Sequence, residues 1–257
     1  MATPYDPAPA AALLADAWRQ GRQLRELPAD CRPATLAQGY DVQDRFMAAM
    51  DDPPAGWKLG VGSPAGMRAA GLQRPLVGRL LRSRCHRGGA TVRLSNPAPA
   101  TVEFEIAFVL GRDVAPGQAP ERALDAVAST HTAFELVLSR FVDRRAVGWP
   151  SFTADGVGFD AFVLGEEIDP GDIDRVIETV GIAVDGEDKA RGLQGDDLSY
   201  SIVALGHLFD HARERGVTLR QGEIVTAGAV GKPFDVDRRG VTLAARYAGG
   251  ELRAELV

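Results

Sequence analysis

Residues 101–111 read Thr-Val-Glu-Phe-Glu-Ile-Ala-Phe-Val-Leu-Gly. Side chains alternate across a strand, so Val102, Phe104, Ile106 and Phe108 share one face and predict a core. Glu103 and Glu105 then point together from the other face, roughly 7 Å apart at Cα. That face continues as Ala107 and Val109, so it is partly apolar. Two carboxylates on a half-buried face raise each other's pKa unless a cation sits between them. An all-oxygen site of this kind suits Mg2+, Mn2+ or Ca2+ better than zinc. Taken alone, the pair also fits a strand with one wet face that carries both glutamates in solvent. A third acid bears on the choice. Glu135 stands alone in Ala133-Phe134-Glu135-Leu136-Val137-Leu138, an otherwise apolar strand candidate. A lone buried carboxylate is costly and needs a partner such as a metal. Three glutamates on two strands would make one face of an octahedral site, leaving positions for water and substrate.

The rest of the composition narrows the class. Of 257 residues, 45% are hydrophobic and 25% charged, which excludes disordered, collagen-like and coiled-coil chains. A net charge of −6 with no long basic block argues against a nucleic-acid partner. Cys31 and Cys85 are the only cysteines and fit no zinc spacing, so a reducing, cytoplasmic setting is expected. The first 18 residues carry Asp6 and Asp16 without a basic start, unlike a signal peptide. No apolar run approaches the ~20 residues that span a bilayer, so no membrane partner is expected. Lysine is rare: Lys58, Lys189 and Lys232 stand against 26 arginines, and each invites a reason.

Along the chain, residues 8–26 predict a helix with Leu13, Leu14, Ala17 and Trp18 on one face. Thr35 to Gln38 is a capping-box pattern that starts a second helix, and Asp51-Asp52-Pro53-Pro54 ends it. The expected division is therefore a helical segment over 1–54 and a mixed β domain over 55–257. Strands are expected at 56–62, 90–94, 101–111, 132–141, 160–164, 178–185, 222–229, 241–247 and 251–256, with a tight hairpin at Gly249-Gly250. Helices are expected at 120–129, with Pro120 in its first turn, and at 199–215, capped by Ser199 and ended by Gly216. Strands and helices do not alternate regularly, which argues against a doubly wound sheet.

Gly56-Trp57-Lys58-Leu59-Gly60-Val61-Gly62-Ser63-Pro64 sets Lys58 among glycines, which let a backbone approach a ligand closely. Apolar neighbours would desolvate the ammonium and suit it to acid–base work. This segment through Met67, then Pro75–Leu80, Val102–Val114 and Phe134–Phe141, resembles the 2-keto-4-pentenoate hydratase and 4-oxalocrotonate decarboxylase family, within the fumarylacetoacetate hydrolase superfamily. The resemblance runs in order from about residue 35 to the C-terminus. It implies an α+β fold, a mixed β-sandwich or roll behind a helical N-terminal segment. It also implies Mg2+ or Mn2+ held by Glu103, Glu105 and Glu135, with Lys58 and Glu105 as catalytic groups. Gly62, Ser63 and Asp155 are implied to bind substrate. The implied reaction adds water to a 2-hydroxy-2,4-dienoate in meta-cleavage degradation of aromatic compounds. Decarboxylation of a 2-oxo-3-enedioate is the alternative. A homo-oligomer is implied, with a companion decarboxylase or hydratase as a further partner.

The sequence also departs from the family pattern. Ala154-Asp155 is followed by Gly156-Val157-Gly158, where the family has Asn, Ala and an active-site Ser. Leu138 stands where Asp is usual, and Gly195-Asp196-Asp197 replaces a Gly-His-Pro segment. The resemblance leaves carbon–carbon hydrolysis of an acylpyruvate as a third reading, ranked lower because that branch has Asp where Glu135 stands. Gly156-Val157-Gly158 motivates a different class, a non-catalytic partner subunit. Elsewhere, His207 and His211 lie four apart on one helix but lack a third ligand, and a solvated polar face is expected there. Asp235-Val236-Asp237 lacks the rest of a calcium loop and is expected to be a turn.

Overall fold

The computed structural model describes residues 4–257. Two sheets face each other. The larger runs in the order β2 (Leu76–Leu81), β1 (Pro54–Gly60), β10 (Ile224–Ala229), β5 (Ala100–Leu110), β6 (Val127–Val137), β7 (Phe159–Ile168) and β3 (Cys85–Arg87), with β11 (Phe234–Val236) also pairing with β5. The smaller runs β4 (Thr91–Val92), β13 (Gly250–Leu256), β12 (Val241–Tyr247), β8 (Gly181–Val184) and β9 (Glu187–Arg191). Six helices accompany them among the described residues: α1 (Ala8–Arg19), α2 (Leu36–Ala49), α3 (Pro64–Ala70), α4 (Gly148–Ala154), α5 (Ile173–Thr179) and α6 (Ser201–Arg215). None is long and apolar enough to cross a membrane.

β5 lies at the centre of the large sheet, and its alternation organises both faces. Phe104, Ile106 and Phe108 are fully buried in the core between the sheets, where Phe104 meets Tyr247 of β12 at 5.9 Å. Each such side chain contributes roughly 1.5–3 kcal/mol of apolar burial. The opposite face is not wet either. Ala107 and Ala133 pack there with Leu80, Leu81 and Phe162, against Trp18, Met47 and Met50 of the N-terminal helices. Helices α1 and α2 form their own apolar cluster with Phe141 and Ala154, so they cap the carboxylate face of the sheet.

Several local expectations are corrected. Residues 120–129 do not form a helix; a short 3-10 turn at Ala123–Ala126 leads directly into β6. Val127 and Ser129 are drawn into the ladder opposite Leu110 and Val109 of β5, and that pairing outweighs helix propensity. Helix α1 stops at Arg19, because Gly21 adopts φ +60 with Ser95 O only 2.8 Å from where a Cβ would stand. The end of the 178–185 run is β8, but Glu178 and Thr179 close helix α5. Asp235 and Val236 lie in β11 and not in a turn. Ser199 does not cap α6, whose N-cap is Tyr200 with no side-chain hydrogen bond; Gly216 does end it, at φ +66. Thr35 accepts from Gln38 N while Gln38 accepts from Ala34 N, which fixes the start of α2. The β12–β13 hairpin turns at Ala248-Gly249.

Candidate active site

Four adjacent strands, β1, β10, β5 and β6, carry the expected residues on one face. Lys58 pairs with Thr226, Thr226 with Ala107, Glu105 with Ala229, and Glu103 stands directly opposite Glu135. One carboxylate oxygen from each of Glu103, Glu105 and Glu135 lies within 4.8 Å of the others. Glu105 and Glu135 are completely buried, while Glu103 is partly exposed.

Each buried acid is held by a different device. Glu105 Oε2 accepts from the Thr226 hydroxyl and from Gly228 N at 2.9 Å. The second bond depends on a bulge in β10, where Gly228 takes φ +88 and a Cβ would meet Ser199 Oγ at 2.8 Å. Glu135 Oε1 meets the Lys58 ammonium as an ion pair. Glu105 Oε1 and Glu135 Oε2 have no hydrogen-bond partner among the described residues. Burial, then repulsion from Glu135 and Glu103, holds Glu105 well above the ordinary carboxylate value. Burial pushes Glu135 up to about 7 against the lowering pull of Lys58, and Glu103 adds to the rise. An all-oxygen, triply acidic cluster with orphaned buried oxygens fits a hard divalent cation: Glu103, Glu105 and Glu135 are the residues able to hold it.

Lys58 is 1% exposed, and its stem runs over Gly78, where a Cβ would approach its Cγ to 2.7 Å. Its Nζ donates to Val157 O at 3.1 Å. Val157 therefore reaches the site through its carbonyl, at the segment that departs from the family pattern. It does so in the left-handed region, φ 56, a costly conformation for a β-branched residue. Val61, across the same cavity, has φ 57. A cavity of about 150 Å3 opens over Lys58 and Glu103, walled by Val61, Phe152, Val157 and Trp149 and bordered by Arg144 and Arg145. A second hollow adjoins it through Gly60, Val61 and Glu103 and is lined by Gly62, Ser63, Ser199 and Lys232.

The remaining expected residues are placed differently. Ser63 caps α3, accepting from Gly66 N at 3.1 Å, and borders the second hollow beside Gly62. Asp155 is fully buried and lines neither space: Arg140 binds it through the guanidinium, and Ser139 Oγ donates to it at 2.7 Å. Arg140 in turn lies under Trp18 at 4.6 Å, tying the N-terminal helices to the turn that contains Val157. Asp155 thus anchors the site's wall. His211 corrects the wet-face expectation: it is 4% exposed, packed on Tyr40 at 4.7 Å. Sequence reasoning missed Thr226, Gly228, Arg144 and Arg145. The bulge-forming glycine was the only local signal, and the arginines gave none among 26.

Fold and site together define a class: a two-sheet mixed β protein with a carboxylate cluster and a buried lysine on one sheet face. Among known proteins, the chain is 30% identical to the 2-keto-4-pentenoate hydratase of Burkholderia vietnamiensis (strain G4 / LMG 22486), over 95% of each chain. Its fold matches the 4-oxalocrotonate decarboxylase of Pseudomonas putida G7, complexed with magnesium and adipate, at TM-score 0.86 and 21% identity, covering 100% and 99% of the two chains. It matches the fumarylpyruvate hydrolase of Pseudomonas aeruginosa, in complex with Mn2+ and pyruvate, at TM-score 0.56 and 18% identity, covering 80% and 90%. No family model matches the chain. The chain belongs to the 2-keto-4-pentenoate hydratase family, with 4-oxalocrotonate decarboxylase among its relatives.

Proposed function

We propose that this protein is a Mg2+- or Mn2+-dependent hydratase that adds water to a 2-hydroxy-2,4-dienoate in aromatic meta-cleavage degradation. The observation that carries the reading is the meeting of Glu103, Glu105, Glu135 and Lys58 on one buried face, in a chain whose relatives are named hydratases. Glu103, Glu105 and Glu135 hold the cation, which when bound supplies a Lewis acid for the substrate's carboxylate and 2-oxygen. Lys58 Nζ uses two of its three N–H groups on Glu135 and Val157 O, leaving the third for the substrate's 2-oxygen. Glu105 Oε1, which has no hydrogen-bond partner among the described residues, would orient the water whose oxygen bonds to C4. C5 takes a proton as the enol gives up its own, and C3 takes the water's proton. Trp149, Phe152 and Val61 exclude bulk water from the diene. Gly62 and Ser63, in the adjoining hollow, receive the substrate carboxylate.

The working state is inferred to be a cytoplasmic homo-oligomer that associates with a companion decarboxylase or hydratase. The exposed apolar residues Tyr200, Ile202 and Val203 at the start of α6 support a contact between chains. Light scattering of the purified protein gives its mass. The reaction is tested with 2-hydroxypenta-2,4-dienoate and Mg2+ by ultraviolet absorbance. Loss of the dienol without CO2 release is expected. CO2 release from a 2-oxo-3-enedioate would favour the decarboxylase. No turnover of any dienol would favour a non-catalytic partner subunit.

A further inference from the structure

We infer that Arg140 is a positioning residue for Lys58: its guanidinium clamps both ends of the turn from Asp155 to Phe159, whose central carbonyl, that of Val157, aims the ammonium. The catalytic consequence rests on the hydratase reading, whereas the positioning itself does not. Arg140 is completely buried. Its Nε donates to the Asp155 carboxylate and its Nη2 to the Asp155 backbone carbonyl. Its Nη1 donates to Phe159 O at 2.5 Å and to Leu138 O at 3.3 Å. One planar group therefore fixes the carbonyls on either side of Gly156-Val157-Gly158.

The turn needs such a clamp. Gly156, Val157 and Gly158 run through the left-handed region in succession, at φ 63, 56 and 73. A β-branched residue persists there only where its surroundings over-determine it. Relaxation of Val157 rotates the peptide planes on both sides of it, including the plane that bears its carbonyl. Among the described residues the Lys58 ammonium has two partners, Glu135 and Val157 O. Glu135 belongs to the acidic cluster, which leaves the Val157 carbonyl as the one neutral contact that places Nζ. The N-terminal helices hold the clamp from behind. The Trp18 and Phe46 rings lie 4.6 and 5.6 Å from the guanidinium. Gln43 Nε2 donates to Thr153 O at 2.7 Å and to Val77 O at 3.1 Å, and Met47 Cε lies 3.3 Å from where a Gly156 Cβ would stand. Helices α1 and α2 thus shape a cavity that none of their residues lines.

Arg140→Lys keeps a positive charge beside Asp155 but loses the planar fork that reaches both carbonyls. The chain has only three lysines, so the Lys58 ammonium resonance of the 15N-labelled, metal-free protein is assigned by its loss in Lys58→Met. Arg140→Lys should speed proton exchange of that ammonium with water by about tenfold or more, as a loosened local structure does. It should lower kcat for 2-hydroxypenta-2,4-dienoate with Mg2+ by roughly 10- to 100-fold, with KM changed by about twofold or less. Trp18→Leu should move both readouts the same way by less, and Trp18→Phe, which restores a ring over the guanidinium, should return both toward wild type. If Arg140→Lys does not fold, the Trp18 pair decides. Lowered stability with unchanged ammonium exchange would reduce Arg140 to a structural role and overturn the inference. Faster exchange with no turnover of the dienol by the wild type removes the hydratase reading and leaves the positioning. Faster exchange with unchanged kcat removes the catalytic consequence alone.

Discussion

Glu103 and Glu135 stand directly opposite each other across the β5–β6 ladder, a pairing that places two acids on one sheet face with a third, Glu105, beside them. Like charges opposite each other destabilise a sheet, here aggravated by burial. Glu103→Gln removes the partly exposed member, so the metal-free protein should gain roughly 0.5 kcal/mol. The same substitution takes away one charged ligand and should weaken Mg2+ binding by roughly 100-fold. Glu105→Gln should do at least as much to the metal. Calorimetric titration checks both, and undiminished Mg2+ affinity in either variant would remove these residues from the ligand set.

Lys58 is the only cation in contact with Glu135 among the described residues, so its removal has different costs with and without metal. Lys58→Met keeps the stem over Gly78 and deletes the charge. The metal-free variant leaves a buried carboxylate uncompensated and should lose about 3 kcal/mol. With saturating Mg2+ the gap to wild type should narrow, because the cation replaces the missing charge. Urea unfolding with Mg2+ and with chelator measures the two gaps. A loss of equal size in both conditions would show that Lys58 and the metal do not share Glu135.

How far the sequence could be read follows from how local each signal was. The alternation in 101–111 carried both the core face and the acid pair, because strand periodicity depends only on neighbouring residues. The opposition of Glu103 and Glu135 did not, since the register of β5 on β6 is set by an irregular connection of some fifteen residues. The same connection misled the helix expected at 120–129, where ladder pairing of Val127 and Ser129 with β5 prevailed over local propensity. Asp155 could be singled out, but its commitment to Arg140 is a tertiary fact: two side chains 15 positions apart meet under Trp18. His211 looked wet because its covering residues, Tyr40 and Trp57, come from far earlier in the chain.

Val157 inverts the usual ranking of alanine and glycine. At φ 56 an L side chain is strained by roughly 1–2 kcal/mol, and glycine is not. Val157→Gly should therefore be more stable than Val157→Ala by about 1 kcal/mol, although both lose the same contacts with Leu76 and Phe152 to within one methyl group. Denaturant unfolding of the two variants gives the difference directly. If the alanine variant is the more stable, the turn does not hold Val157 in the left-handed region. Because the Val157 carbonyl is the one that binds Lys58, the glycine variant should also turn over more slowly despite its better backbone fit.

His211 sets a pH limit on stability from outside the active site. Burial against Tyr40 and Trp57, reinforced by Arg74 and Arg215, lowers it from 6.5 to about 4. The folded state therefore keeps it neutral while the unfolded chain protonates it at 6.5. The stability this contributes is fully present above pH 6.5 and is lost as pH falls toward 4, where the folded imidazole finally takes its proton. Integrated over that window the loss is on the order of 3 kcal/mol. His211→Phe cannot titrate and preserves an aromatic ring against Tyr40. The difference in unfolding free energy between wild type and variant should shift by that amount, in favour of the variant, from pH 7 to pH 4. A pH-independent difference would mean that His211 can reach solvent without unfolding, and the packing of α6 on Tyr40 would have to be looser than the 4% exposure of the ring implies.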